Sequence, residues 1–249
     1  MTTTAQVTAT EASITTDDGP MPVHVAIPRG TPKGAVVVVQ EAFGVTPHIQ
    51  DVTHRLARVG WHAIAPSLFH REGSPVIGYD ELDKAMPVMQ TLTAEGLTTD
   101  LLATFADVES SGFAPDKTAI VGFCMGGTVA FYAATLRPIG ASVTFYGGGV
   151  ATGRFGLPSL IDLAPSLATP WLGLYGDTDQ SIPVADVERL RQATAAVPID
   201  TEIVRYPDAG HGFHCDERPG SYAPDAARDA WSRALGWLDA HIGGQAPAG

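Results

Sequence analysis

Cysteine is scarce in this 249-residue chain: there are two, Cys124 and Cys215. Two cysteines build no disulfide framework, so a reduced, cytoplasmic setting is the expectation. Positive charge is also short. Lys and Arg number 15 against 27 Asp and Glu, a formal net charge of -12, which argues against a nucleic-acid partner and against an anionic membrane surface. No apolar run approaches the roughly 18 residues a membrane span needs. The start, Met1-Thr2-Thr3-Thr4-Ala5-Gln6, lacks the basic and apolar regions of a secretion signal. Hydrophobic residues make up 45% and charged residues 17% of the chain. That composition supports a sizeable core and excludes wholesale disorder.

Strand and helix signals alternate along the whole chain. Residues 6–16 and 20–28 show period-2 patterning around the turn signal Asp17-Asp18-Gly19, which predicts a hairpin. Gly34-Ala35-Val36-Val37-Val38-Val39 is a continuous β-branched run, the mark of a strand buried on both faces of a parallel sheet. It leads through Gln40-Glu41-Ala42-Phe43-Gly44 into a helix with Thr46 as cap and Pro47 at its first position. Further strands are expected at 61–65, 118–121, 141–146, 171–175 and 201–206. Helices are expected between them, including one from Tyr79 to Ala94 interrupted by Pro87. The last helix shows Ala227, Trp231, Leu235, Leu238 and Ile242 at helical spacing. With no linker and no internal repeat, the pattern predicts one doubly wound, mostly parallel α/β domain with an antiparallel N-terminal hairpin and helices on both faces. Its core spans about residues 6–242, with a frayed tail at 243–249.

In such a sheet ligands collect beyond the carboxyl ends of the strands. Val121-Gly122-Phe123-Cys124-Met125-Gly126-Gly127 places a cysteine in Gly-x-Cys-x-Gly, after an apolar strand and before a helical pattern. Small neighbours allow a sharp turn whose tip points outward, and the helix N-terminus behind it stabilises a thiolate. Two later strand ends carry the acid pair Asp177 and Asp179, and then His211. A thiol attacks a carbonyl poorly unless an imidazole takes its proton and a carboxylate orients that imidazole. Each member has a bland alternative: a cysteine at a strand end packs as a small core residue, and Gly-Asp units make turns. Three such coincidences in the order nucleophile, acid, histidine favour the triad.

Gln40-Glu41-Ala42-Phe43-Gly44, Gly122-Phe123-Cys124-Met125-Gly126-Gly127, Gly176-Asp177-Thr178-Asp179-Gln180-Ser181-Ile182-Pro183 and Ala209-Gly210-His211-Gly212-Phe213 together resemble the dienelactone hydrolase family, from about Thr15 to the last helix. The resemblance implies an α/β-hydrolase fold and a cysteine nucleophile, with no metal or organic cofactor. It puts the acid on Asp179, four positions ahead of Pro183, with Asp177 as fallback, and the base on His211 rather than His214. It gives Glu41 the part of a carboxylate that restrains the thiol. The oxyanion donors are then the backbone N–H groups of Met125 and Ala42. The family's dienelactone-cleaving members use arginines for the substrate carboxylate, one of them four residues after the histidine; here that position is Cys215. Arg218, Arg71 and Lys84 lie in neighbouring segments, and Tyr146 and Phe213 are candidate pocket walls.

The expected function is cofactor-independent hydrolysis of a small lactone or carboxylic ester through a thioester at Cys124, as in carboxymethylenebutenolidases. A thioesterase or general esterase on the same triad is the alternative. A glutamine amidotransferase also uses Gly-x-Cys-x-Gly, but pairs it with His-x-Glu, which His214-Cys215-Asp216 imitates poorly. A non-catalytic binding protein needs no aligned nucleophile, base and acid.

Overall fold

The computed structural model describes residues 7–243; the ends 1–6 and 244–249, and with them most of the expected frayed tail, lie outside the described residues. Strands β1 (Thr8–Thr16) and β2 (Gly19–Ile27) form the expected antiparallel hairpin, in register from Thr8 opposite Ile27 to Thr16 opposite Gly19. Gly19 turns the chain with φ 115°, a conformation side chains disfavour. The remaining strands are β3 (Ala35–Val39), β4 (His62–Pro66), β5 (Thr118–Phe123), β6 (Ala141–Phe145), β7 (Trp171–Gly176) and β8 (Thr201–Tyr206). They join the hairpin in one eight-stranded sheet of order β1-β2-β4-β3-β5-β6-β7-β8. From β4 to β8 every pairing is parallel.

All five residues of β3 are buried, and they alternate between two cores. Val36 and Val38 face one layer with Ile49, Val52 and Leu56 of helix α1 (Pro47–Arg58). Val37 and Val39 face the other, with Leu97, Leu101 and Phe105 of helix α3 (Ala94–Ser110). Period-2 alternation on a strand clothed on both sides explains the unbroken valine run. Helices α4 (Met125–Leu136), α5 (Leu160–Leu163), α6 (Val184–Thr194) and α7 (Pro224–His241) complete the layers. Among the described residues no helix is long and apolar enough to cross a membrane.

The helix expected from Tyr79 to Ala94 is shorter: α2 covers Leu82–Met89. Pro87 lies inside it without a backbone N–H to donate, and the Thr93 hydroxyl accepts from Gly96 N at 3.1 Å to start α3. Tyr146 leaves its strand, turning to φ 41° just beyond β6, and the last helix ends one residue before Ile242. The chain leaves β3 toward β4 on one side and returns on the other to β5. The order reverses there, so the loops after β3 and β5 diverge over a crevice.

Candidate active site

Cys124 follows β5 and precedes α4 with φ 56° and ψ -119°, a strained conformation for a residue with a side chain. The strain is held from several sides. Cys124 N donates to Phe145 O at 3.1 Å, and the turn packs so tightly that a Cβ on Gly122 would stand 1.8 Å from Gly126 O, and one on Gly126 2.5 Å from Val39 O. The glycines around the cysteine are therefore required by close approach to the turn itself and to β3. The thiol stays partly open to solvent. Met125 occupies the first position of α4, where a helix offers no internal acceptor for its N–H. Among the described residues neither this N–H nor that of Ala42 is used in a backbone hydrogen bond.

The loops after β7 and β8 are zipped together: Asp177 N donates to Tyr206 O at 2.9 Å and Thr178 N to Ala209 O at 3.0 Å. That pairing brings Asp179 Oδ2 to 2.6 Å from His211 Nδ1. Its other oxygen accepts from Ser181 N at 2.8 Å and Ser181 Oγ at 2.7 Å. Burial opposes the Asp179 charge, yet the contacts with His211 and Ser181 hold its carboxyl below the ordinary range. Burial likewise works against a charged His211. The interactions with Cys124 and then Asp179 on either side outweigh it and raise the imidazole to about 10. Asp177, the fallback acid, is taken by Arg205, whose Nε and Nη2 each reach it at 2.7 Å.

Glu41 is fully buried at the end of β3 and accepts from the Tyr79 hydroxyl at 3.2 Å and the Tyr146 hydroxyl at 3.4 Å. Tyr79 also meets the Thr46 hydroxyl at 3.0 Å. Burial and the Glu41 charge push the Tyr79, Tyr146 and Cys215 groups upward, Cys215 to about 11, so all three stay protonated. The Tyr146 ring lies 5.2 Å from that of His211.

Some expected positions are not at the crevice. Arg71 is occupied by Asp100, at 2.8 and 2.9 Å, and by Asp18 at 2.9 Å. Lys84 pairs with Glu81 on the outside of α2. Phe213 is fully buried among Phe145, Tyr146 and Tyr206, a support beneath Tyr146 rather than a wall. His214 is packed against Phe123, Phe145 and Trp231, and burial drives it down to about 3, so it is neutral. It offers no imitation of the amidotransferase histidine. The guanidinium whose place the sequence leaves open is Arg218, 5.5 Å from the Phe43 ring and 5.4 Å from the Tyr79 ring. A Cβ on Gly212, next to His211, would stand 2.9 Å from its Nη1. The sequence marks Arg218 only as lying close by, and the fold of the loop sets it beside Gly212 and these two rings. Among the described residues no three His, Cys, Asp or Glu side chains gather as metal ligands would.

Residues 21–242 match the dienelactone hydrolase family. Relatives that carry the name "Putative carboxymethylenebutenolidase" include the following two. One, from Yersinia pestis, is 39% identical over 236 residues, covering 93% of this chain and 88% of the relative. The other, from Escherichia coli strain K12, is 38% identical over 239 residues, covering 93% and 86%. A crystal structure described as a "Putative Dienelactone Hydrolase" from Klebsiella pneumoniae superimposes with a TM-score of 0.82 at 38% identity, covering 94% of this chain and 98% of that one.

Proposed function

The chain belongs to the dienelactone hydrolase family, has the α/β-hydrolase fold and is a hydrolase of ester or lactone bonds, and on that premise we propose that it works through Cys124, His211 and Asp179. The 2.6 Å contact between Asp179 and His211 Nδ1 carries this reading. A carboxylate only accepts, so it fixes the proton on Nδ1 and turns Nε2 toward the neighbouring thiol. With His211 raised to about 10, the imidazole holds the proton it takes from the thiol as substrate arrives.

The thiolate of Cys124 attacks the carbonyl carbon of a small lactone or ester. The oxyanion is held by the N–H groups of Met125 and Ala42. As the tetrahedral intermediate collapses, the C–O bond breaks and the imidazolium of His211 gives its proton to the departing alcohol or enolate. The thioester is then attacked by water, whose proton His211 takes, and the acid leaves as that proton returns to the Cys124 sulfur. Glu41, held by two tyrosine hydroxyls beside this pair, restrains the thiol. The whole chain acts as one domain in the cytoplasm.

Arg218 supports a substrate that carries a negative charge. Its guanidinium lies across two aromatic rings, which leaves its edge free to grip a carboxylate. The test is a panel of p-nitrophenyl esters and lactones with and without a carboxylate. Turnover that disappears in Cys124→Ala, with KM for the carboxylated members alone rising about tenfold in Arg218→Ala, is the expected result. Turnover surviving Cys124→Ala sinks the nucleophile, and equal KM changes across the panel sink the role of Arg218.

A further inference from the structure

His211 rides on the long connection between β8 and α7, residues 207–223, and loops of that length are mobile unless tied down. One tie reaches across the crevice. Asp216 Oδ1 lies 3.1 Å from His48 Nδ1, and its Oδ2 is 2.5 Å from Arg55 Nη2. His48 and Arg55 both belong to α1. Arg55 is itself held by Asp51 at 2.5 Å. Burial opposes the Asp216 charge, but Arg55 and then His48 hold its carboxyl below the usual range. The N-terminal end of the same helix reaches the opposite loop: its cap residue Thr46 meets the Tyr79 hydroxyl that donates to Glu41. Helix α1 thus touches both the loop that carries His211 and the segment whose Tyr79 holds Glu41.

His48 is costly where it stands. It is fully buried, and its Nε2 has no hydrogen-bond partner. Its neighbours are the ring of Phe123 at 6.3 Å and that of neutral His214 at 5.6 Å. An apolar side chain would fill this space without an orphaned nitrogen. What an apolar side chain could not do is donate to Asp216 through Nδ1.

We propose that Asp216 and His48 are positioning residues: they clamp the loop carrying His211 to helix α1 and so hold the imidazole against Cys124. This rests on the Cys124–His211 reading above. The clamp touches neither substrate nor the reacting atoms, and acts through the place it gives His211.

The test is the pH profile of iodoacetamide alkylation at Cys124, followed by peptide mass spectrometry, in wild type, His211→Asn, Asp216→Ala, His48→Leu and His48→Asn, together with kcat and KM on a p-nitrophenyl ester. Asparagine places an N–H where histidine has Nδ1, so it keeps the bond to Asp216. In Asp216→Ala and His48→Leu the alkylation profile is expected to move up by about one pH unit toward that of His211→Asn, with kcat falling about tenfold and KM changing by less than about threefold. His48→Asn stays within about twofold of wild type. Profiles of Asp216→Ala and His48→Leu that superimpose on wild type, with only the melting temperature lowered, reduce the clamp to a structural contact and overturn the proposal. If His211→Asn itself superimposes on wild type, the Cys124–His211 pairing is wrong and the clamp falls with it.

Discussion

Cys124 stands at a strained strand-to-helix turn, partly open to solvent, beside an imidazole that a carboxylate holds at 2.6 Å. Cys215 lies fully buried four residues beyond that imidazole, with its thiol pushed up to about 11 by burial and the Glu41 charge. The side chain is the same; the backbone and the nearest charges differ. Cys124 has a helix N-terminus behind it and an imidazole beside it. Cys215 is buried beside a carboxylate, and these two outweigh the Tyr79 hydroxyl and Arg218, which act the other way, so the thiol stays neutral. On the proposed mechanism, reactivity follows position on the sheet edge rather than residue type.

The sharpest way to break that contrast is to make one substitution at both sites. Cys124→Ala is expected to lower kcat/KM for a p-nitrophenyl ester by about 10⁴-fold. Cys215→Ala should leave it within about threefold and cost about 1 kcal/mol of stability through the small cavity it opens. Comparable losses of activity at both positions would erase the distinction. The two aspartates of the acid loop offer a second, smaller contrast. Asp179→Asn should cost about 10²-fold in kcat, because its charge supports His211. Asp177→Asn, which loosens only the half-exposed pair with Arg205, should lower the melting temperature and change kcat by less than about threefold.

The smallest effect is a matter of pH. His211 is raised from its ordinary value to about 10 in the folded protein. Its contribution to stability is therefore complete below about pH 6.5 and is lost as pH rises through about 10. Cys124→Ala removes the largest of the effects that raise it, while burial, which lowers it, remains. The imidazole should then titrate at lower pH, visible in NMR of the ring, and the alkaline loss of melting temperature should begin earlier. An unmoved titration would mean that no thiolate faces His211.

Much of the fold was legible because its determinants are local. The valine run of β3, the turn at Gly19 and the Thr46-Pro47 start of α1 each announce themselves within a few residues. The strand ends that carry Cys124, Asp179 and His211 were legible for the same reason. The segment from Arg71 to Thr93 was not, since its path is set by long-range partners: Ile77 N on Phe43 O, Arg71 on Asp100, Tyr79 on Glu41. Arg71 and Lys84 were candidates by sequence position alone, and the fold commits both to other carboxylates. Arg218 shows the converse, a side chain that loop geometry lays over the Phe43 and Tyr79 rings, a placement no short motif encodes.

The central claim is that the acyl group passes through Cys124. Rapid mixing with a slowly hydrolysed ester, acid quench and peptide mass spectrometry measure this directly. A thioester adduct on the Cys124 peptide, formed and lost at the turnover rate and absent from the Cys215 peptide, is the expected result. Turnover with Cys124 unmodified at every time point, or an adduct on another side chain that forms and decays at the catalytic rate, would contradict it.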